Sequence, residues 1–328
     1  MPSENVKSRY LYLVAAIVMQ LCLGNLYTWS VFRTPLMELH GWTVRQATLP
    51  FTLSVVFFAV GMVVAGRWQD RVGPRRVGMT GGALLGAGLL LASWLGSRLP
   101  GLYLSYGVLG GLGVGFAYVT PIATVVKWFP DMRGLMTGVS VLGFGAGSLI
   151  GAPLSTMLIQ SLGVHETFAA LGMVLGLLVV ASSGALENPP EGFRPLGWQP
   201  STQQGGPRAE YHPRQMLRTP QFYLLWSTYL LGSGVGLMAI SQAVPMGQEL
   251  AGLSATVAAG VLGTMAIFNG LGRPAFGWIS DAIGRKSSLV LAFGIYLIAL
   301  LLVLRNANSL ALYAIGISAV GFFYGGYL

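Results

Sequence analysis

Ten stretches of this chain run for about twenty residues each, nearly free of charge, and their recurrence decides most of what the chain can fold into. They fall at residues 10–31, 47–67, 77–97, 101–123, 135–160, 166–186, 220–244, 255–278, 288–304 and 309–328. A helix rises about 1.5 Å per residue, so about twenty residues cross a hydrocarbon core about 30 Å thick. A transmembrane β-barrel would instead show segments of about ten residues alternating apolar and polar, which this chain lacks. With 54% apolar and 9% charged residues and a mean hydropathy of +0.66, it falls far from soluble domains, whose charged fraction is about 25%. The expected fold class is an all-α polytopic membrane protein.

The net charge of +9 does not point to nucleic acid, because the basic residues are scattered over short loops and form no continuous face. They read as topology signals. With the N-terminus in the cytoplasm, that side holds fourteen Lys and Arg, including Lys7, Arg9, Arg67, Arg71, Arg75 and Arg76, against Arg33, Arg45, Arg98 and Arg305 outside. Such a bias is the positive-inside pattern and predicts an inner (plasma) membrane protein with a cytoplasmic N-terminus. The first run is too long for a signal-peptide core and is expected to remain as a span. Cys22, the only cysteine, gives neither a disulfide framework nor a thiolate metal site.

Residues 187–219 are rich in Pro, Gly, Gln and Arg and predict a flexible cytoplasmic linker. It separates an N-terminal six-helix bundle at 1–186 from a C-terminal bundle at 220–328. The halves are related: GRWQDRVGPRR from Gly66 recurs as GWISDAIGRK from Gly277, and Asp70 to Asp281 sets an offset of 211 residues. The same offset lays Gly41-Trp42-Thr43 on Gly252-Leu253-Ser254, and Gly111 to Gly115 on Phe322 to Gly326. Parallel repeats joined by a long linker are the layout of a secondary transporter with a midplane site between its halves. Under that offset the fifth and sixth spans would recur beyond Leu328, so about 10 of 12 helices are expected and the second bundle reads as truncated. Glycine-dense stretches at 107–115 and 138–151 predict close helix contacts rather than nucleotide loops, since no Walker-type lysine follows.

Arg273 is the one charge set inside an apolar run. It precedes Asp281 by eight residues, about 12 Å of helix and well inside the bilayer. A guanidinium stays charged there, so it either faces a cavity, partner or anionic ligand or snorkels to the headgroups. Asn269 shares its helix face. Tyr27, Tyr118 and Tyr324 are candidate walls for a small planar anion, against the plainer reading of interface or packing aromatics. Asp70 and Arg71, with Asp281 and Arg285 in the second copy, are candidate gating residues, placed where a carboxylate can hold helix-end amides or arginines. All ten acids fall in loops or at span ends. No carboxylate is therefore available at mid-membrane as cation or proton carrier, and the chain looks built for an anion.

The duplicated loop, the central linker and the 6 + 6 pattern resemble the major facilitator superfamily over essentially the whole chain. GNLYTWSVF in the first run, VVKWFPDMRG before the fifth, GFGAGS within the fifth and FNGLGRPAFGWISDAIGR in the eighth are similar to the oxalate/formate antiporter family, which includes monocarboxylate transporter-like proteins. The resemblance implies that Arg273 binds a carboxylate and that Tyr27, Tyr118 and Tyr324 flank it. It also implies a second binding cation, a lysine in an eleventh helix beyond the end of this sequence. The expected function is alternating-access transport of a small carboxylate such as oxalate, formate or lactate, by a monomer, with protons as a candidate co-substrate and without cofactor, metal or covalent chemistry. The rival readings are a carrier of another solute, such as a drug or sugar, and a truncated, non-transporting remnant.

Overall fold

The computed structural model describes residues 6–195, 198, 213–306 and 309–327. The described residues of the first compact unit, Met1–Pro195, hold α1 (Val6–Leu23), α2 (Trp29–His40), α3 (Val44–Val72), α4 (Pro74–Leu95), α5 (Leu99–Leu102), α6 (Gly111–Trp128), α7 (Arg133–Leu162) and α8 (Val164–Gly184). Those of the second, Leu196–Leu328, hold α9 (Pro213–Met216), α10 (Pro220–Ala251), α11 (Ala255–Ile283), α12 (Arg285–Asn306) and α13 (Leu310–Tyr327). A 3-10 turn at Gly24–Thr28 joins α1 to α2, and a π-helical stretch at Tyr103–Gly110 joins α5 to α6. Among the described residues seven spans are long and apolar enough to cross a membrane. The helices α10, α11 and α12, of 32, 29 and 22 residues, carry the remaining apolar runs. The chain is an all-α polytopic membrane protein. Residues 196, 197 and 199–212 of the predicted linker lie outside the described residues.

Helix ends follow capping chemistry rather than hydropathy, which explains why the first span runs on to His40, past the last apolar residue of its run. Gly41, in the left-handed region at φ 67°, ends it by donating its N–H to the Met37 carbonyl. Thr43 then opens α3 with a capping box shared with Gln46. In the second unit Gly252 has φ 62° and Ser254 caps α11 through the Val257 N–H. Gly73 and Gly284 likewise share one backbone state, φ 84° with ψ 168° and φ 85° with ψ 158°, each forming a one-residue break between long helices. Only glycine adopts that conformation without strain. The repeat is thus a repeat of backbone geometry as well as of letters.

Within each bundle, glycines let backbones meet. A Cβ on Gly111 or Gly115 would collide with the Ser54 or Phe58 carbonyl, fixing α3 against α6. In the second unit a Cβ on Gly321 or Gly325 would collide with the Met265 or Asn269 carbonyl, fixing α11 against α13. Ser54 and Phe58 lie 211 residues before Met265 and Asn269, whereas Gly111 and Gly115 lie 210 before Gly321 and Gly325. The register expected from sequence, Gly111 to Gly115 on Phe322 to Gly326, is therefore displaced by one residue. Its physical reason is the π-helical stretch, whose wider turns absorb an extra residue.

The first bundle's core is aromatic. Trp29 packs on Tyr106 with ring centroids 4.4 Å apart, Phe32 stacks on Phe168 at 4.7 Å, and the Trp29 indole N–H donates to the Ala47 carbonyl at 2.9 Å. At the end holding the N-terminus of α1, Arg9 is buried and its Nη1 donates to both oxygens of Asp131 at 3.0 and 3.1 Å, with the guanidinium 4.6 Å from the Phe129 ring. Removing one partner of a buried pair like this costs about 3–5 kcal/mol. The start of the inter-bundle stretch docks beside it: the Trp128 indole N–H donates to the Glu187 carbonyl at 2.8 Å, and Lys127 donates to Asn188 at 3.1 Å.

Candidate functional site

Helix α11 brings Asn269 and Arg273 onto one side, a turn apart. Pro274 follows Arg273 and has no N–H, so the Gly270 carbonyl loses its helical donor beside the arginine. The helix is held against α13 by the glycine contacts above and by Phe276, whose ring meets those of Phe322 and Phe323 at 5.9 and 5.5 Å. Asn269 completes the seam, its Nδ2 donating to the Gly321 carbonyl at 3.1 Å. Arg273 is half-buried, and its Nε is fully buried with no hydrogen-bond partner among the described residues. An always-charged group with an unfilled donor inside an apolar helix has strong affinity for an acceptor of opposite charge.

Tyr324 packs toward α10 in the same bundle. Its ring lies over Gly236 of α10, where only a hydrogen fits, and it is 5% exposed. Tyr327 occupies the matching place above Gly232 and donates its hydroxyl to the Thr228 carbonyl at 2.9 Å. Both rings thus pack α13 against α10.

In the first bundle Tyr27 and Tyr118 come together. Each meets the Phe144 ring edge-on, at 5.1 and 5.0 Å, and Phe58 joins them, 5.1 Å from Tyr118 and stacked 6.1 Å from Phe144. Tyr27 is half-exposed at 50% and Tyr118 half-buried, so the cluster presents a partly open aromatic face. Gln20 supports it, fully buried, with Nε2 donating to the Tyr118 carbonyl at 3.3 Å, three residues before Pro121 within α6. Phe58, Phe144 and Gln20 do not stand out in the sequence. The repeat could have found Phe58: the offset that takes Asp70 to Asp281 takes Phe58 to Asn269 and Met62 to Arg273.

The candidate gating residues lie at helix ends. Asp70 and Arg71 are exposed at the end of α3, and among the described residues Asp70 has no ion-pair partner. Asp281 accepts from Arg285 Nη2 at 3.3 Å, and Arg285 Nη1 donates to Ser280 at 3.0 Å. Arg285 is 62% exposed, so this pair is worth little in a static state.

Helical halves with matching turns, glycine-fixed seams and a half-buried arginine whose Nε is unfilled are the marks of a polytopic carrier. The chain belongs to the Major Facilitator Superfamily, whose model matches residues 12–328, and is accordingly a membrane transporter rather than an enzyme. It is 32% identical over 302 residues to the oxalate:formate antiporter of Oxalobacter formigenes, covering 90% of this chain and 69% of that protein. An uncharacterised MFS-type transporter of Escherichia coli K12, YhjX, is 31% identical over 325 residues, covering 99% and 79%. Monocarboxylate transporter 13 of Rattus norvegicus is 29% identical over 264 residues, covering 80% and 59%. Among solved structures, the proton:xylose symporter XylE superposes with a TM-score of 0.65 at 13% identity, covering 99% of this chain and 81% of that one, a likeness of fold alone.

Proposed function

We propose that this chain carries small carboxylate anions across the inner (plasma) membrane by alternating access, with its N-terminus in the cytoplasm. The observation that carries this reading is Arg273, whose Nε is buried and unfilled in the middle of α11. A carboxylate matches the planar fork of a guanidinium with two parallel charge-assisted bonds. Asn269, anchored to Gly321, orients the guest. Tyr27 and Tyr118 supply aromatic walls, and Tyr324 sets the packing from which α13 addresses it. The bundles at 1–186 and 220–328 are the moving parts, and residues 187–219 tether them. The relatives named for oxalate:formate exchange and for monocarboxylate transport support this substrate class.

The test is uptake of radiolabelled oxalate, formate and lactate into proteoliposomes holding the protein or its Arg273→Lys variant. Lysine keeps the charge and loses the fork, so uptake of the preferred anion falls by about tenfold or more. Undiminished uptake in the variant removes the assignment. Competition by uncharged sugars or drugs, with no effect of carboxylates, places the substrate in another class.

A further inference from the structure

At the end of the first bundle opposite Arg9 and Asp131, the last residue of α2 meets the start of α8 through two imidazoles. His40 Nε2 and His165 Nε2 are 3.2 Å apart, with ring centroids at 5.4 Å. We infer that this pair is a bis-histidine site for a late first-row divalent cation, Cu²⁺, Ni²⁺ or Zn²⁺, joining the first span to the sixth.

Two nitrogens bound at about 2.0–2.1 Å to one tetrahedral metal lie about 3.3 Å from each other. The spacing in the protein is close to that value, so rotation of the two side chains is enough to point both nitrogens at a metal. Both rings are half-buried, which leaves them ordered yet reachable. His40 is held by stacking on Trp42, with centroids at 4.6 Å. Ser97 Oγ lies 3.5 Å from His165 Nε2, close enough to hydrogen-bond a coordinated water. His165 Nδ1 is buried and bonded to nothing among the described residues. In the metal-free protein one Nε2 donates to the other; a metal displaces that shared proton and leaves the His165 ring proton on Nδ1. Imidazole nitrogen selects these cations over Mg²⁺ and Ca²⁺, which prefer oxygen. Among the described residues no three His, Cys, Asp or Glu side chains gather to hold a metal. Water therefore completes the coordination, and the site is an exchangeable one of modest affinity.

The chain has three histidines in all, which makes the test clean. The full protein, carrying an affinity tag without histidine, is titrated with Cu²⁺ while tryptophan fluorescence is followed, Trp42 reporting through its contact with His40. Saturable quenching at one equivalent is expected. His40→Gln and His165→Gln each raise the half-saturating concentration by about tenfold or more, whereas His212→Gln leaves it unchanged. Zn²⁺ competes with Cu²⁺ and raises the unfolding temperature of the unaltered protein, and EDTA reverses the rise. Should either His40 or His165 variant fail to fold, that stability shift decides on its own. Quenching that does not saturate, that survives both substitutions, or that comes with no stability gain from Zn²⁺ overturns the site.

Discussion

Helix α3 of the first bundle and α11 of the second are the same structural piece with opposite chemistry on one face. Each opens at a Thr or Ser cap, closes at a glycine near φ 85°, and presses its carbonyls onto two glycines of a partner helix. Yet Phe58 and Met62 on the first become Asn269 and Arg273 on the second. The backbone frame, fixed by caps and glycine contacts, has been kept while one face has moved from aromatic to cationic. In the first bundle that face joins the Tyr27, Tyr118 and Phe144 rings. In the second it carries an unfilled guanidinium nitrogen.

The sharpest way to break that contrast is to move the charge. Arg273→Met with Met62→Arg keeps one arginine at the repeat-related depth but puts it in the wrong bundle. If the charge is needed where Asn269 and the Gly270 carbonyl frame it, uptake stays down by about a hundredfold or more, the worth of a lost charge-assisted pair at about 1.5–3 kcal/mol together with a buried cation misplaced. Uptake restored by the swap would show that only the depth of the charge matters. A fluorescence or size-exclusion check of folding accompanies the measurement, because the new arginine is placed inside an apolar span.

Much of this was legible in the sequence, for reasons that also mark its limits. Helix number could be read from hydropathy because each crossing needs an apolar run, and Arg273 stood out because a charge in such a run is costly. Asp70 and Asp281 were legible through the duplicated turn, whose glycines must adopt a conformation closed to other residues. Phe58 and Phe144 were not, since an aromatic residue in an apolar span looks the same whether it faces lipid or lines a cleft. Gln20 was hidden because its role depends on the Tyr118 carbonyl, nearly a hundred residues away. The one-residue shift between Gly111 and Gly321 was invisible because a π-helical turn has no composition of its own. Arg9 and Asp131 read as two loop charges until folding placed them in contact.

A second prediction sharpens the likeness of the halves. Gly73→Ala and Gly284→Ala each force a side chain into a backbone state that only glycine occupies freely, at a cost of about 1–3 kcal/mol. A Cβ at either position meets nothing within 4 Å, so strain alone sets the loss and the two variants should lower the unfolding temperature about equally. Unequal losses would mean that the two turns, despite matching torsion angles, are held by different surroundings.

The smallest effect on stability, and the most informative about motion, is expected at the acids beside those turns. Asp281 pairs with a well-exposed Arg285, and Asp70 has no ion-pair partner among the described residues. Loss of the Asp281–Arg285 pair in Asp281→Asn should therefore cost at most about 1 kcal/mol, and Asp70→Asn about nothing, in this conformation. If both carboxylates act by holding one conformation shut, their loss shows in transport instead. Exchange slows in both variants while substrate affinity, measured by binding to the detergent-solubilised protein, changes little. Asp70 is the more decisive of the two, because with no ion pair here its gating part would rest on a contact made in another conformation. Unchanged exchange in Asp70→Asn would leave that turn a structural repeat without a gating part, and the resemblance between the halves would end at the backbone.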